Sequence, residues 1–285
     1  MLFTIAIFWG LTFPIIKIVL NDVSVMAFVF IRFFITILLF YLYFRNELKN
    51  FDKTGFKHGI ILGIYLFIGF YSQTLGLKYT TASKSAFITG TNIVLLPFVQ
   101  MFIIKSKPNF GNILGIILVL LGLYFLTEIR DTKINFGDLI TLVCAVAFSF
   151  HIVYLDKYSR KSDHLAIVYG QYISMALLSF FAMMFFEVIP GNFLFRLNTY
   201  SISITLFTSI FSTLFALYFI MKYQKHVTPI RAGLIYNMEQ VTAVISAYFI
   251  LSEVMSLNQI AGAVIMTIGL IISEIFTKFR YAKEC

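Results

Sequence analysis

Ten apolar runs, each about 20 residues long, follow one another along the chain with only short polar connectors between them. In lipid every backbone N–H and C=O must be paired inside the protein, which leaves helices or a closed barrel, and runs of this length are helices. They lie near 2–20, 25–44, 57–77, 83–104, 110–127, 136–155, 165–187, 201–221, 228–250 and 257–276. No stretch remains for a separate soluble domain. Composition points the same way. Hydrophobic residues are 60% of the chain, charged residues 12%, and mean hydropathy is +0.90, against about 45–50% apolar and about 25% charged in soluble domains. The many aromatics (34 Phe and 16 Tyr) suit lipid-facing surfaces and interfacial belts. The expected fold class is an all-α integral membrane protein of ten transmembrane helices.

A net charge of +9 would suggest nucleic acid in a soluble chain. Here the basic residues sit in connectors, chiefly 45–57, 105–108, 156–163 and 222–225, and no basic patch is interleaved with aromatics. They read as topology signals beside anionic lipid, and no nucleic-acid partner is expected. With both termini cytoplasmic, these connectors, Arg231 and the C-terminal tail put 15 of the 22 Lys and Arg inside. A miscount by one span would spoil that alternation. A multi-pass protein of the cytoplasmic membrane follows. The first run has no basic leader and no small-residue cleavage site before Asn21-Asp22, so it is expected to be a first span and not a signal peptide. Cys144 in an apolar run and Cys285 at the end give neither a disulfide framework nor a metal site, and no cofactor is expected.

The second half repeats the first. Shifted by 147 residues, Ile113-Leu114-Gly115 meets Ile260-Ala261-Gly262, Gly122-Leu123 meets Gly269-Leu270, Thr81 meets Thr228, and Lys84 meets Arg231. Earlier in the chain the shift is nearer 139, which sets Phe8-Trp9-Gly10 against Ala147-Phe148-Ser149 and Arg32 against Gln171. Matches of Ile and Leu arise by chance in apolar sequence; paired glycines and paired cations count for more. Each unit, 1–130 and 131–285, holds five spans. An odd number turns the second unit upside down, and inverted repeats are a common build of secondary transporters.

The chain resembles EamA-type members of the drug/metabolite transporter superfamily. The matching pieces are Trp9-Gly10-Leu11-Thr12-Phe13 with Lys17, Arg32-Phe33, the stretch Gly76 to Ala82, and Leu114-Gly115 to Gly122. In the second half they are Tyr223 to Ala232, Glu239, Ser252-Glu253 and Ala261-Gly262 to Gly269. The sequence departs from the family pattern at Gln240, where proline is frequent, and at Lys105-Ser106-Lys107, where an acidic residue is common. The resemblance implies ten helices in two five-helix repeats and a small-metabolite substrate, often an amino acid or a relative, frequently exported.

Polar residues inside spans usually face a cavity or another helix, because lipid penalises them. Ser85, Thr89 and Asn92 share one stripe of span 4, and Ala232, Tyr236 and Glu239 are their counterparts in span 9. These stripes are read as cavity walls. Glu239 is the one carboxylate in the middle of a span, where an ionised group costs about 2.5–3.5 kcal/mol unless paired or hydrated. It is a candidate for binding a substrate ammonium or a coupling proton, or a structural carboxylate at a helix break. Arg32 is a candidate partner for a substrate carboxylate, or an anchor to another helix. His151, at the repeat position of Thr12, is a candidate proton relay or a helix-packing histidine. Lys17 and Lys84 are expected to snorkel from helix ends, and Glu253 to be a loop or gate residue.

Trp9 and Tyr236 are the aromatics kept at the cavity, with Tyr71 and Gln73 weaker choices; Thr12 and, beside Glu239, Gln240 are placed there too. Pro14 and Pro97 remove helical hydrogen bonds and, with Glu239 and His151, are the candidate coupling or gating positions. The expected mechanism is rocking of helix bundles about a cavity bounded by spans 1, 4, 6 and 9. The glycine pairs of spans 5 and 10 read as a static seam within a monomer or between the halves of a homodimer.

Three other classes fit less well. A channel would show rings of like charge or a filter segment. An intramembrane enzyme needs a constellation such as H-E-x-x-H, and the histidines at 58, 151, 164 and 226 are scattered. A non-transporting accessory or receptor protein is separated from a carrier by solute flux. Within the carrier reading, drug-like cations are the alternative substrate, whereas sugar phosphates would call for several deep cations.

Overall fold

A computed structural model describes residues 1–50, 52–80, 82–127, 134–196, 198–251 and 256–284. Thr81 and Ser252-Glu253, named above, lie outside these, as does the side chain of Lys84.

Among the described residues the structure is helical throughout, apart from one isolated bridge between Val23 and Phe195. The helices are α1 (Leu2–Val19), α2 (Val25–Phe44), α3 (Lys53–Tyr79), α4 (Ala82–Gly90), α5 (Asn92–Ile104), α6 (Phe110–Thr127) and α7 (Phe136–Ser159). There follow α8 (His164–Met183), α9 (Thr199–Ser209), α10 (Ala216–Tyr223), α11 (Pro229–Tyr236), α12 (Met238–Leu251) and α13 (Leu257–Glu284). Seven stretches are long and apolar enough to cross a membrane, and the shorter apolar helices Phe110–Leu126 and Leu257–Ser273 accompany them. The expected span 9 is divided into α11 and α12, neither of which reaches that length alone. About half of most of the long stretches is buried, and their exposed surface carries large apolar side chains such as Phe102 and Tyr43. Such faces belong against lipid tails.

Helix starts follow local chemistry. Asp52 accepts from Thr54 N (2.8 Å), Asp163 from Ala166 N (2.9 Å), and Asn135 and Asn198 form reciprocal capping boxes with Asp138 and Ser201. Thr228 precedes Pro229 at the first position of α11. Helix α2 is capped from a distance. The Glu187 carboxylate accepts from Met26 N (2.7 Å), Ala27 N (3.0 Å) and Ser24 Oγ (2.7 Å), satisfying amides that α2 leaves open and placing a negative charge at its positive end. Nearby, Ser24 N donates to Leu194 O and Asn198 Nδ2 to Asp22 Oδ2, so the α1–α2 and α8–α9 connectors are laced together. Lys17 Nζ donates to Thr80 O at 3.1 Å, tying the end of α1 to the end of α3.

Helix α3 packs on α7 and α8, α1 on α12, α2 on α8, α5 on α7, and α6 on α13. Two contacts depend on glycine. In the α3–α8 seam a Cβ on Gly59 would collide with Ile167 O and approach Gly170 Cα to 2.9 Å. In the α6–α13 seam a Cβ on Gly115 would lie 2.9 Å from Gly269 O, and one on Gly122 would lie 2.7 Å from Gly262 O. Small residues let helices approach this closely, where dispersion replaces the missing hydrophobic drive. The glycines of expected spans 5 and 10 therefore meet each other inside one chain.

Gly59→Val forces the α3–α8 backbones apart and is expected to lower stability by about 1–3 kcal/mol. Thermal unfolding in detergent measures this, with Phe102→Val on the exposed face as the comparison expected to stay within about 0.5 kcal/mol.

Candidate functional site

A cavity opens where α1, α2, α3, α7 and α10 surround two discontinuities, the first between α4 and α5 at Thr91 and the second between α11 and α12 at Asn237. Its free space is about 60 Å³ as reached by the centres of water-sized molecules. At roughly 10–15 Å³ per water on that measure, this conformation holds a handful of waters, and a larger solute needs the walls to part.

Nine of the eleven residues expected at a cavity line this one: Trp9, Thr12, Arg32, Thr89, Asn92, His151, Tyr236, Glu239 and Gln240. Tyr71 instead stacks on Phe67 (5.9 Å) outside the lining, and Ser85 is fully buried away from it, its hydroxyl without a partner among the described residues. Helix α1 runs unbroken through Pro14. Pro97 lies within α5, after the discontinuity at Thr91. The weaker choice Gln73 lines the cavity, as do Thr74, Gln224 and Asn237, which sequence reasoning passed over. Gln224 had been counted as connector, but a tight helical turn over Gln224–His226 carries it inward. Asn237 is two residues from Glu239, and its signal would have been a second amide beside a lone carboxylate.

Arg32 of α2 is 3% exposed. Its Nε donates to Thr213 Oγ1 and its Nη2 to Ser212 Oγ (2.9 Å), with a longer contact to Ser212 O (3.3 Å). The guanidinium also lies 4.8 Å from the Phe70 ring centroid, a cation–π contact. The acceptors come from a wide helical turn over Ile210–Phe215, in which Thr213 Oγ1 reaches back five residues to Thr208 O. Such one-turn widenings recur at functional sites because they shift side-chain direction without ending the helix.

Trp9 Nε1 donates to Ser212 O (2.9 Å), and its ring meets Tyr236 edge-on at 5.6 Å. The Tyr236 hydroxyl donates to Gln224 Oε1 (2.9 Å), whose amide donates in turn to Ile152 O (2.8 Å). This chain links α1, α10, α11 and α7 and fixes the aromatic wall. His151 Nε2 is 3.0 Å from Gln171 Oε1, which joins α7 to α8. Gln73 Nε2 makes a long contact with Thr89 Oγ1 (3.4 Å).

The two discontinuities touch. Asn237 Nδ2 donates to Asn92 Oδ1 at 3.2 Å and to Gly233 O at 3.0 Å. Asn92 is met from its other side by Ser149 Oγ, whose one proton is shared between Ala145 O (2.7 Å) in its own helix and Asn92 O (3.1 Å). Glu239, half-buried in the first turn of α12, lines the cavity, and its backbone carbonyl lies against Gly10 of α1. Among the described residues neither Arg32 nor Glu239 has an ion-pair partner. The cavity thus presents one buried cation and one carboxylate among aromatic and amide side chains.

Residues 1–128 and 135–274 match the EamA-like transporter family. A relative from Archaeoglobus fulgidus, described as an uncharacterized transporter, is 34% identical over 268 residues, covering 94% of this chain and 82% of its own. The uncharacterized transporter YoaV of Bacillus subtilis is 21% identical over 274 residues, covering 94% and 93%. One solved crystal structure superposes with a TM-score of 0.78 at 16% identity over 97% of this chain and 96% of its own, a likeness of fold alone. The family is one of transporters and not of enzymes, and these matches span almost the whole described membrane domain. The chain is a multi-pass membrane protein that belongs to the EamA-like transporter family.

Proposed function

We propose that this transporter moves a small organic metabolite, an amino acid or a close relative, across the cytoplasmic membrane by alternating access at the cavity. The observation that carries the reading is one cavity lined by a guanidinium and a carboxylate, neither of which has an ion-pair partner among the described residues. A zwitterion offers the opposite charge to each, carboxylate to Arg32 and ammonium to Glu239. Its apolar part meets Trp9, Phe70, Phe148 and Tyr236. Export is the direction the family resemblance implies, and protons acting at Glu239 are the candidate coupling ion. A monomer or a homodimer is the proposed form.

The proposed architecture is ten spans in two inverted units, 1–130 and 131–285, with both termini cytoplasmic. Contact pairs that exchange under the internal offsets support it. The Gly115–Gly269 contact becomes Gly262–Gly122 when each position moves by 147. Gly10 lies on Glu239 O, and its counterpart Ser149, 139 residues on, bonds Asn92 O, the counterpart of Glu239. The family match likewise falls into two stretches that part near residue 130. Within such a frame, discontinuous helices at the repeat interface are where solutes bind, and rocking of one unit on the other exposes the cavity to each side alternately.

Counterflow of a mixed amino-acid panel in proteoliposomes, with and without an imposed pH gradient, tests the reading. Exchange of at least one panel member is expected, and Glu239→Gln is expected to lose the response to the gradient while remaining in the membrane. Absence of exchange in folded protein would reject the amino-acid class. A second test concerns the cation. Thr213→Val removes an acceptor from a buried guanidinium and is expected to lower stability by about 1.5–3 kcal/mol, read by thermal unfolding. An unchanged melting temperature would mean that Arg32 finds another acceptor.

A further inference from the structure

The polar atoms of the cavity without partners gather at one place, the discontinuity between α11 and α12. Asn237 is 2% exposed. Its amide nitrogen must face Gly233 O, a carbonyl that can only accept, and this fixes the side-chain orientation. The amide oxygen Oδ1 is left buried, with no donor among the described residues. Gln240, also 2% exposed, has its Oε1 in the same condition. Between them in sequence, the Glu239 carboxylate has neither a hydrogen bond nor an ion pair among the described residues. All three side chains line the cavity.

In an unbroken α-helix residues 237 and 239 would project about 200° apart and could not share one wall. All three nonetheless line the cavity, on either side of the interruption at Asn237. Across from it stands Gly90 of α4, where a Cβ would approach Asn237 Oδ1 to 2.9 Å, so a larger residue there would crowd that buried oxygen. The result is three acceptor groups, two amide oxygens and a carboxylate, with one formal negative charge.

We propose that Asn237, Glu239 and Gln240 form a subsite for a primary ammonium group. An R–NH₃⁺ head carries three N–H donors and one positive charge, matching the three acceptor groups and their one negative charge together. Each N-methylation removes a donor and adds bulk, and a quaternary ammonium has no donor at all and seeks aromatic faces instead. The subsite rests on the reading of the cavity as a solute site and sharpens it. It selects solutes with an unsubstituted amino group over betaines and quaternary drug-like cations, with the carboxylate end left to Arg32 on the α2 wall.

The test uses the head group alone. Purified full-length protein is melted in detergent across concentration series of methylammonium chloride and tetramethylammonium chloride, with sodium chloride at matched ionic strength as reference. Methylammonium is expected to stabilise the protein at concentrations at least about tenfold below those of tetramethylammonium, since three charge-assisted hydrogen bonds are at stake. Gln240→Leu and Glu239→Gln are each expected to shrink that preference to about threefold or less. Both are close in volume to the native residue, and each variant's melting point without ligand shows whether it has folded. Equal effects of the two ammonium ions, no effect of either, or a preference that survives both substitutions would overturn the subsite. So would sodium acting as strongly as methylammonium, which would make the site one for alkali cations. Counterflow is scored separately on the same preparation, so loss of ammonium selectivity with intact exchange rejects the subsite and leaves the carrier reading standing.

Discussion

Two amides hold the centre of this transporter together. Where α4 gives way to α5 and α11 to α12, backbone groups are released from the helical ladder, and inside a membrane domain no lipid atom can satisfy them. Asn237 bridges the gap, its backbone N–H still closing the last turn of α11 on Gly233 O while its side-chain amide donates to Asn92 of the other interruption. Ser149 secures Asn92 from α7, and Gly10 brings α1 against Glu239. Four helical elements thus converge on a contact of a few ångströms, and the polar wall of the cavity exists because that contact keeps two interrupted helices in place.

The buried cation is accommodated by a different device. A guanidinium without a carboxylate beside it needs neutral acceptors and polarisable faces to replace water. The wide turn of Ile210–Phe215 supplies the acceptors, and Phe70 supplies the face. The position of α2 that delivers Arg32 is itself anchored at the helix start, where Glu187 takes the open amides of Met26 and Ala27. A carboxylate at the start of α2 and a hydroxyl pair in the wide turn therefore both bear on where the guanidinium sits.

Much of the cavity was legible because polar residues in a membrane span are expensive and rare. Thr89, Asn92, Tyr236 and Glu239 declared themselves by lying on helical stripes in otherwise apolar sequence, and Trp9 and Arg32 by their rarity. The failures have the same root. Tyr71 and Ser85 share stripes with true lining residues, yet an element about 10 Å across has several faces, and periodicity alone does not say which one meets the cavity. Gln224 was hidden by a helix end read three residues short, and Asn237 by the assumption that span 9 is continuous. Proline predicts weak points poorly here: α1 passes through Pro14, while α11 ends at a residue that is not proline.

Sequence by itself determined that this chain belongs in a bilayer, that it is helical, and that it is related to transporters. Those conclusions follow from hydropathy, run length and backbone satisfaction, all of which are local quantities summed along the chain. Tertiary structure alone decided which glycines meet, that Arg32 is held by Ser212 and Thr213 from 180 residues away, and that Asn237, Glu239 and Gln240 line one cavity with side-chain oxygens that have no donor among the described residues. The physical reason is that hydrogen-bond satisfaction of a buried group depends on atoms brought near it by helix crossing and by interruptions of the helix, and neither leaves a periodic mark in the sequence.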